Sequence, residues 1–186
     1  RTCRASCSTP RNWASPWGGV AHTTVARYLD VLVDTMMLRR LEPHLANVGK
    51  RLVKSPKVYL RDSGLLHALL GINTVVDLQG HPIAGASWEG FVVEQIAALA
   101  PQGSQIGFYR TATGIEMDVV VTMGTRRIGF EVKFSAAPKP TAGFWQARQD
   151  LELHRAFVVA PVRRRYPLAE GVEVLPVQRL QDALRG

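Results

Sequence analysis

Apolar residues first recur at helical spacing after residue 20. In the segment HTTVARYLDVLVDTMML, apolar side chains return every three or four residues and would form one face of a helix. Thr23 or Thr24 is a suitable N-cap, because a threonine hydroxyl can accept a hydrogen bond from an unpaired backbone N–H at a helix start. The predicted apolar face consists of Val25, Tyr28, Leu29 and Leu32.

A basic two-stranded element is predicted after this helix. Two strands and a turn are followed by a short helix with Asp62 at its N-cap and Gly71 at its end. A helix followed by a basic hairpin is typical of a winged helix, so residues 21–72 are predicted to form a partial winged-helix-like segment. Glycine and proline residues indicate a linker over residues 73–86. The segments are MMLRRLEPH, ANVGKR, KSPKVYLRD, SGLLHALLGI and NTVVDLQGHPIAGAS, in chain order.

A second block begins at Ser87, a suitable N-cap for a helix that ends near Pro101 and Gly103. Three strands, a helix over residues 141–151, a buried strand, a last strand and a short helix are predicted to follow. This order predicts an α/β (α+β) domain over residues 87–186. Its strands and final helix are IGFYRT, EMDVVVT, RRIGFEVKF, HRAFVVAPV, VEVLPV and VQRLQDALR.

Three ionisable residues stand out because the strands that carry them are otherwise apolar. Asp118 lies in EMDVVVT, and Glu131 and Lys133 lie in RRIGFEVKF. Charged side chains are rarely fully buried unless they are paired or bind a metal. If the two strands form one hairpin, both carboxylates can lie on the same face as hard oxygen ligands for Mg²⁺. The alternative is a buried carboxylate–lysine pair that only neutralises itself.

The net charge is +8 and the isoelectric point is about 10.1, which suits a polyanionic partner, nucleic acid first. The alternative for the basic segment is packing against another domain or a sister subunit. The run Arg163–Arg165 lies in a predicted loop, with phosphate contact and a solvated turn as its two interpretations. The candidates for phosphate contact are Thr24, Arg27, Arg39, Arg40, Lys54 and Lys57.

The sequence also indicates where the protein works. No apolar run approaches the roughly 18 residues needed to cross a bilayer, and the N-terminus lacks the apolar core of a secretory signal. Cys3 and Cys7 have no second pair to complete a zinc site. A reduced, cytoplasmic protein without a membrane partner is therefore predicted. Residues 1–20 show no period and are predicted to be a poorly ordered leader, with a non-native origin as one hypothesis.

Five segments resemble the C-terminal region of a widespread prokaryotic family of predicted AAA+ ATPases. That region is known as a domain of unknown function, and the element order of residues 87–186 resembles the PD-(D/E)XK nuclease fold. The resemblance covers about residues 20–180. The matching segments are TVARYLDVL, KVYLRDSGLLHALLGI, GASWEGFVVEQI, FYRTATGIEMDVVV and GFEVKFS.

The resemblance implies a restriction-endonuclease-like mixed sheet flanked by helices, preceded by a partial winged-helix module and, in the full-length protein, by an ATPase domain. It also implies that Glu89, Asp118 and Glu131 bind Mg²⁺ or Mn²⁺, with Lys133 as the catalytic lysine. Glu116 fits the same pattern. The chain carries no GxxxxGK[ST] phosphate loop, so it is not predicted to be an ATPase as given.

Two functions follow as expectations. The first is a Mg²⁺-dependent nuclease in which Asp118, Glu131 and Lys133 are catalytic. The second is a non-catalytic nucleic-acid or protein interaction module that serves the ATPase.

Overall fold

The computed structural model describes residues 21–45 and 49–185, so the predicted leader lies outside the described residues. The chain divides into two compact units. The first unit comprises Arg1–Glu42 and Lys54–Phe91, and the second comprises Pro43–Val53 and Val92–Gly186. Each unit is described by itself below.

The first unit contains the predicted helix, hairpin and short helix in the predicted order. Strands β1 and β2 are antiparallel, with Leu38 opposite Leu60 and Leu41 opposite Lys57. The Asp62 carboxylate accepts a hydrogen bond from the backbone N–H of Leu65 at 2.9 Å, which confirms Asp62 as an N-cap. The elements are α1 (His22–Asp34), β1 (Leu38–Pro43), β2 (Lys57–Leu60), α2 (Ser63–Leu69), α3 (Val75–Gly80) and the first part of α4 (Ala84–Leu99).

Two predicted helix starts in this unit were wrong, and the predicted linker contains a helix. Helix α1 begins at His22 after Ala21, with no side-chain cap, so neither Thr23 nor Thr24 caps it. The predicted linker contains helix α3, because Thr74 and Asp77 form reciprocal side-chain-to-backbone hydrogen bonds at its start. Helix α4 begins at Ala84 rather than after Ser87.

The second unit contains a mixed sheet of six strands in the order β3-β4-β5-β6-β8-β7. Strands β3, β4 and β5 are antiparallel, β5, β6 and β8 are parallel, and β7 pairs antiparallel with β8. The elements are β3 (Gln105–Arg110), β4 (Glu116–Met123), β5 (Arg126–Val132), α5 (Ala142–Asp150), β6 (Arg155–Val159), β7 (Tyr166–Ala169), β8 (Val172–Leu175), a 3₁₀ turn (Val177–Arg179) and α6 (Leu180–Arg185).

Strand β7 was not predicted from the sequence. All four of its residues are exposed, so YPLA shows no alternation of buried and exposed positions. The other strands of this unit were predicted because burial imposes an apolar pattern on them. A strand that pairs through its backbone alone therefore leaves little trace in the sequence.

Helix α5 packs against β4 and closes the core of the second unit. Thr141 caps this helix by accepting a hydrogen bond from the Phe144 N–H at 3.2 Å. Gly129 of β5 is closely packed, because a Cβ there would collide with the end of the Leu153 side chain and lie 3.0 Å from the sulfur of Met117, so both side chains would have to shift. The buried side chains of this core include Tyr109, Met117, Val120, Phe144, Ala147, Leu151, Val158 and Val174.

The chain is therefore a mixed α/β protein, as predicted. Among the residues that the structure describes, no helix combines the length and apolar character needed to cross a bilayer.

Candidate functional site

The hairpin of β4 and β5 carries the predicted catalytic residues. The two strands pair directly, with Val119 opposite Phe130 and Val121 opposite Ile128. This antiparallel register brings the start of β4 next to the end of β5. The predicted hairpin is confirmed, and it gathers residues that are more than ten positions apart in the sequence.

Asp118 lies at an irregularity of β4. Val120 pairs with Gly107 and Met117 pairs with Tyr109, so three steps on β4 match two steps on β3. The extra residue of such a bulge disrupts the ladder and redirects nearby side chains, and bulges are common beside active sites. Here the Asp118 carboxylate oxygen Oδ2 accepts a hydrogen bond from the backbone N–H of Val132 at 2.8 Å. The carboxylate thereby reaches the residue that separates Glu131 from Lys133.

Glu131 and Lys133 form an ion pair, with 2.7 Å between Lys133 Nζ and Glu131 Oε1. The Glu131 side chain is buried, with 4% exposure, whereas the Lys133 side chain is 30% exposed. The Lys133 backbone N–H donates to the Val159 carbonyl at 2.9 Å, which fixes the lysine beside β6. The structure thus brings Asp118, Glu131 and Lys133 together at one end of β5.

Glu89 has partners within its own unit. Its Oε1 accepts hydrogen bonds from Lys57 Nζ at 2.8 Å and from the Tyr59 hydroxyl at 2.6 Å. The Lys57 side chain is only 4% exposed. Phosphate contact by Lys57 stays a prediction, and it is disfavoured because this ammonium is buried against a carboxylate. Tyr59 and Lys57 were missed as partners of Glu89, since no local pattern links residues 30 positions apart.

The other candidates for phosphate contact lie at different depths. Thr24, Arg27, Arg40 and Lys54 are exposed, and Arg39 is half-buried. Arg40 forms an ion pair with Asp30 of α1. Phosphate contact by this group stays a prediction.

A polar cluster around Asp150 was also missed. Its carboxylate accepts hydrogen bonds from Lys50 Nζ at 2.6 and 2.7 Å, from the Tyr109 hydroxyl at 2.8 Å and from Gln146 Nε2 at 3.0 Å. Burial alone would raise the pKa of Asp150, but these hydrogen bonds hold its pKa below the usual value. Burial, together with the hydrogen bond to Asp150, raises the pKa of Tyr109. The cluster ties Lys50, which lies between β1 and β2, and Tyr109 of β3 to helix α5.

The donor set at the end of β5 suits a hard cation. Mg²⁺ typically takes one or two carboxylates and completes its shell with waters and phosphate oxygens. Asp118 and Glu131 supply two carboxylates, and a carboxylate has about four acceptor positions, of which the Val132 N–H uses one on Asp118. Across residues 21–45 and 49–185, no three His, Cys, Asp or Glu side chains form a metal-binding group. Glu116, the further acidic candidate, instead accepts a hydrogen bond from Arg110 Nε at 3.0 Å.

Comparison with known proteins identifies the family. A family model described as a domain of unknown function, DUF4143, matches residues 84–180, just over half of the chain. The chain belongs to the DUF4143 family. A second domain of unknown function, DUF8612, matches residues 12–75.

Two curated relatives of this DUF4143 chain are mycobacterial. They are the uncharacterized proteins Rv2008c of Mycobacterium tuberculosis and Mb2031c of Mycobacterium bovis, each 44% identical over 162 residues. The match covers 87% of this chain but 36% of each relative, so the chain spans about a third of their length. The crystal structure of protein VC1899 from Vibrio cholerae matches 89% of this chain and 42% of its own, with 13% identity and a TM-score of 0.34.

Proposed function

We propose that the second unit is a PD-(D/E)XK nuclease-like domain that hydrolyses phosphodiester bonds of nucleic acid. One observation carries this proposal: the hydrogen bond between Asp118 and the Val132 N–H brings two carboxylates and an ammonium group to one end of β5. Two acids can hold a metal ion, and a lysine can stabilise negative charge on phosphorus, so this set suits phosphodiester hydrolysis assisted by a metal ion.

Asp118 and Glu131 would hold the Mg²⁺ or Mn²⁺ ion. When bound, such an ion polarises a phosphoryl oxygen and lowers the pKa of a coordinated water. Burial of Glu131 and the fixed backbone on both sides of it orient its carboxylate before substrate arrives. Glu89 is the third acid that the family resemblance implies, and its contacts with Lys57 and Tyr59 hold it in one orientation.

Lys133 supplies positive charge to the phosphate. Its ammonium lies 2.7 Å from Glu131 Oε1, and 30% of the side chain is exposed, so we expect an anionic substrate to reach this lysine from solvent. An ammonium in this position stabilises the negative charge that develops on phosphorus during attack. The same lysine neutralises Glu131, which lowers the cost of burying that carboxylate.

A second candidate function rests on those same ion pairs. Glu131 is neutralised by Lys133, and Glu89 by Lys57, so both acids are already compensated within the protein. A non-catalytic interaction module that contacts nucleic acid or protein would keep such pairs for stability alone. Fold does not decide between the two functions, since related folds host both.

The wider setting also belongs to the proposal. Residues 21–72 would act as a partial winged-helix module, and a cytoplasmic ATPase domain of the longer protein would be the partner. The curated relatives extend well beyond the match, which covers 36% of their length. The element order of the first unit, helix then antiparallel hairpin then helix, supports the winged-helix interpretation.

Metal-dependent thermal stability tests the nuclease proposal. Saturating Mn²⁺ should stabilise the wild-type chain by about 2.7 kcal/mol at a concentration of 100 times Kd. Glu131→Gln should abolish this gain, because the substitution removes one of two anionic ligands. Glu170→Gln is the matched control, since it makes the same chemical change at an exposed residue and should keep the gain.

Cleavage of labelled single-stranded and duplex DNA and RNA completes the test. Wild-type protein and Glu170→Gln should cleave at least one substrate with Mg²⁺ or Mn²⁺, and Asp118→Asn and Glu131→Gln should not. Absence of both the Mn²⁺ stabilisation and cleavage in the wild-type chain would favour the interaction module.

A further inference from the structure

A cleft lined by arginines lies in the second unit. Its residues come from the loop before β7, which is the outer strand of the sheet, and from the segment after β8. Its volume is about 390 Å³. Three of its arginines are consecutive in the loop before β7, and the fourth lies in the 3₁₀ turn that precedes α6. The lining residues are Arg163, Arg164, Arg165, Pro176, Arg179 and Asp182.

Two of the four arginines form ion pairs with carboxylates of the same unit. Arg165 Nη2 donates to Glu173 Oε1 at 2.7 Å, and Arg155 Nη2 donates to the same oxygen at 2.7 Å. The hydrogen bond from Arg165, helped by that from Arg155, lowers the pKa of Glu173 to about 2, so Glu173 stays ionised at neutral pH. Arg165 therefore anchors the loop to β8. Arg179 is bonded in the same way to Asp182 at 3.1 Å.

The other two arginines face solvent without a counter-charge. Arg163 and Arg164 are exposed, and neither forms an ion pair with any residue in the described ranges 21–45 and 49–185. An anchored loop thus presents two adjacent guanidinium groups at a concave surface. Guanidinium groups bind phosphate through paired parallel hydrogen bonds, and arginine is the residue of choice for phosphate recognition.

We propose that this arginine cleft binds the phosphodiester backbone of nucleic acid. The composition of its lining decides against a protein partner, because the only apolar member is Pro176. Protein interfaces have apolar and aromatic centres, whereas nucleic-acid interfaces are more polar and much more positively charged. A row of like charges in an open cleft matches a polymer of repeated phosphates.

The neighbouring strand supports the same choice. β7 is the outer strand of the sheet, where a peptide partner could add a strand by backbone pairing. Pro167 lies within β7 and has no backbone N–H, and the register with β8 shifts between Pro167 and Ala169. Proline and irregular pairing are features that protect an edge strand from strand addition. Peptide capture at this edge is therefore disfavoured.

The arginine cleft is independent of the proposed metal site. None of its lining residues is Asp118, Glu131 or Lys133, and phosphate contact by arginine requires no divalent ion. Binding is therefore measured in EDTA, so loss of binding and loss of cleavage can be told apart. A failure of the nuclease proposal would leave this proposal standing, and the reverse also holds.

Charge reversal at two matched positions tests the proposal. Arg164→Glu and Lys139→Glu each change the net charge by the same amount, and both residues are exposed in the second unit. Fluorescence anisotropy with a labelled 20-nucleotide strand, single-stranded and as a duplex, gives Kd from 50 to 200 mM salt. We expect Arg164→Glu to weaken binding on the order of tenfold and to reduce the salt slope by about one, as loss of a phosphate contact should.

Lys139→Glu should change Kd by less than about threefold, since it alters only the overall field. Arg163→Glu should repeat the result of Arg164→Glu, and unchanged circular dichroism would show that both variants are folded. Inorganic phosphate alone should compete only at millimolar concentration. Equal losses for Arg164→Glu and Lys139→Glu, no loss for either, or competition by micromolar phosphate would overturn the proposal.

Discussion

The two units each contain a buried carboxylate–lysine pair, but the buried partner differs. In the first unit the lysine is the buried member, since Lys57 is 4% exposed and its partner Glu89 is 20% exposed. In the second unit the carboxylate is the buried member, since Glu131 is 4% exposed and Lys133 is 30% exposed. The two ion distances, 2.8 and 2.7 Å, are nearly equal.

This contrast distinguishes an ion pair suited to a structural role from one whose lysine is more exposed and lies near a second carboxylate. Lys57 has its charge enclosed, and the Tyr59 hydroxyl gives Glu89 a second donor, so the contact is suited to fixing α4 against β2. The Lys133 side chain is 30% exposed, and Asp118 brings a second carboxylate to the neighbouring backbone. Distance alone does not distinguish the two pairs. The depth of the lysine does.

The largest effect is expected from removing the charge that compensates Lys57. Glu89→Gln leaves a buried ammonium without its carboxylate, and we expect a loss of about 3 kcal/mol in the free energy of unfolding. Urea unfolding monitored by circular dichroism measures this. Lys57→Met should cost less, because Glu89 is more exposed and keeps the Tyr59 hydrogen bond. The control Glu152→Gln, at a side chain with 84% exposure, should stay within about 0.5 kcal/mol.

An intermediate effect is expected when the lysine of the second unit is removed. Lys133→Met leaves the buried Glu131 carboxylate without this ammonium. We expect a loss of about 2 kcal/mol, less than for Glu89→Gln, because the Lys133 side chain is 30% exposed and water can reach its position. Glu131→Gln should cost less than about 1 kcal/mol, since Lys133 can extend into solvent. The order of the two losses is thus the reverse of that in the first unit. Equal losses for both substitutions would contradict the assignment of the buried partner.

The smallest effect is expected at a pair with neither partner buried. Glu173 accepts from Arg165 and Arg155, and the first of these hydrogen bonds contributes most to lowering its pKa to about 2 from 4.5. Because the folded-state pKa is the lower one, this stabilisation is present above about pH 4.5 and is lost as the pH falls toward 2. Partial exposure reduces the gain, so Glu173→Gln should cost about 1 kcal/mol at pH 7.

Unfolding curves of Glu173→Gln and wild type between pH 7 and pH 2 measure this dependence. The difference in the free energy of unfolding should shrink as the pH falls below about 4.5. A difference that stays constant over this range would show that the ion pairs of Glu173 do not contribute to stability. The exposed neighbour Glu170→Gln should show no comparable pH dependence.

Local sequence patterns predicted the regular elements wherever burial on one face imposes a period. The β4–β5 hairpin follows from two apolar runs around a glycine turn, with φ of 60° at Gly124. The cap at Asp62 follows from residue type at a helix start. Prediction failed where burial gives no signal, as at the exposed strand β7, and where a helix extends past a suitable cap, as at Ala84.

Local sequence patterns were enough to predict most of the helices and strands and to single out Asp118, Glu131 and Lys133 on two consecutive strands, because periodicity and residue type act over a few residues. The burial of the charged groups and the identity of their partners depend instead on the tertiary structure. Lys57 meets Glu89 across 32 positions and Lys50 meets Asp150 across 100. Such pairings depend on how distant segments pack, since the free energy of a charge is set by its whole surroundings rather than by its neighbours in the chain.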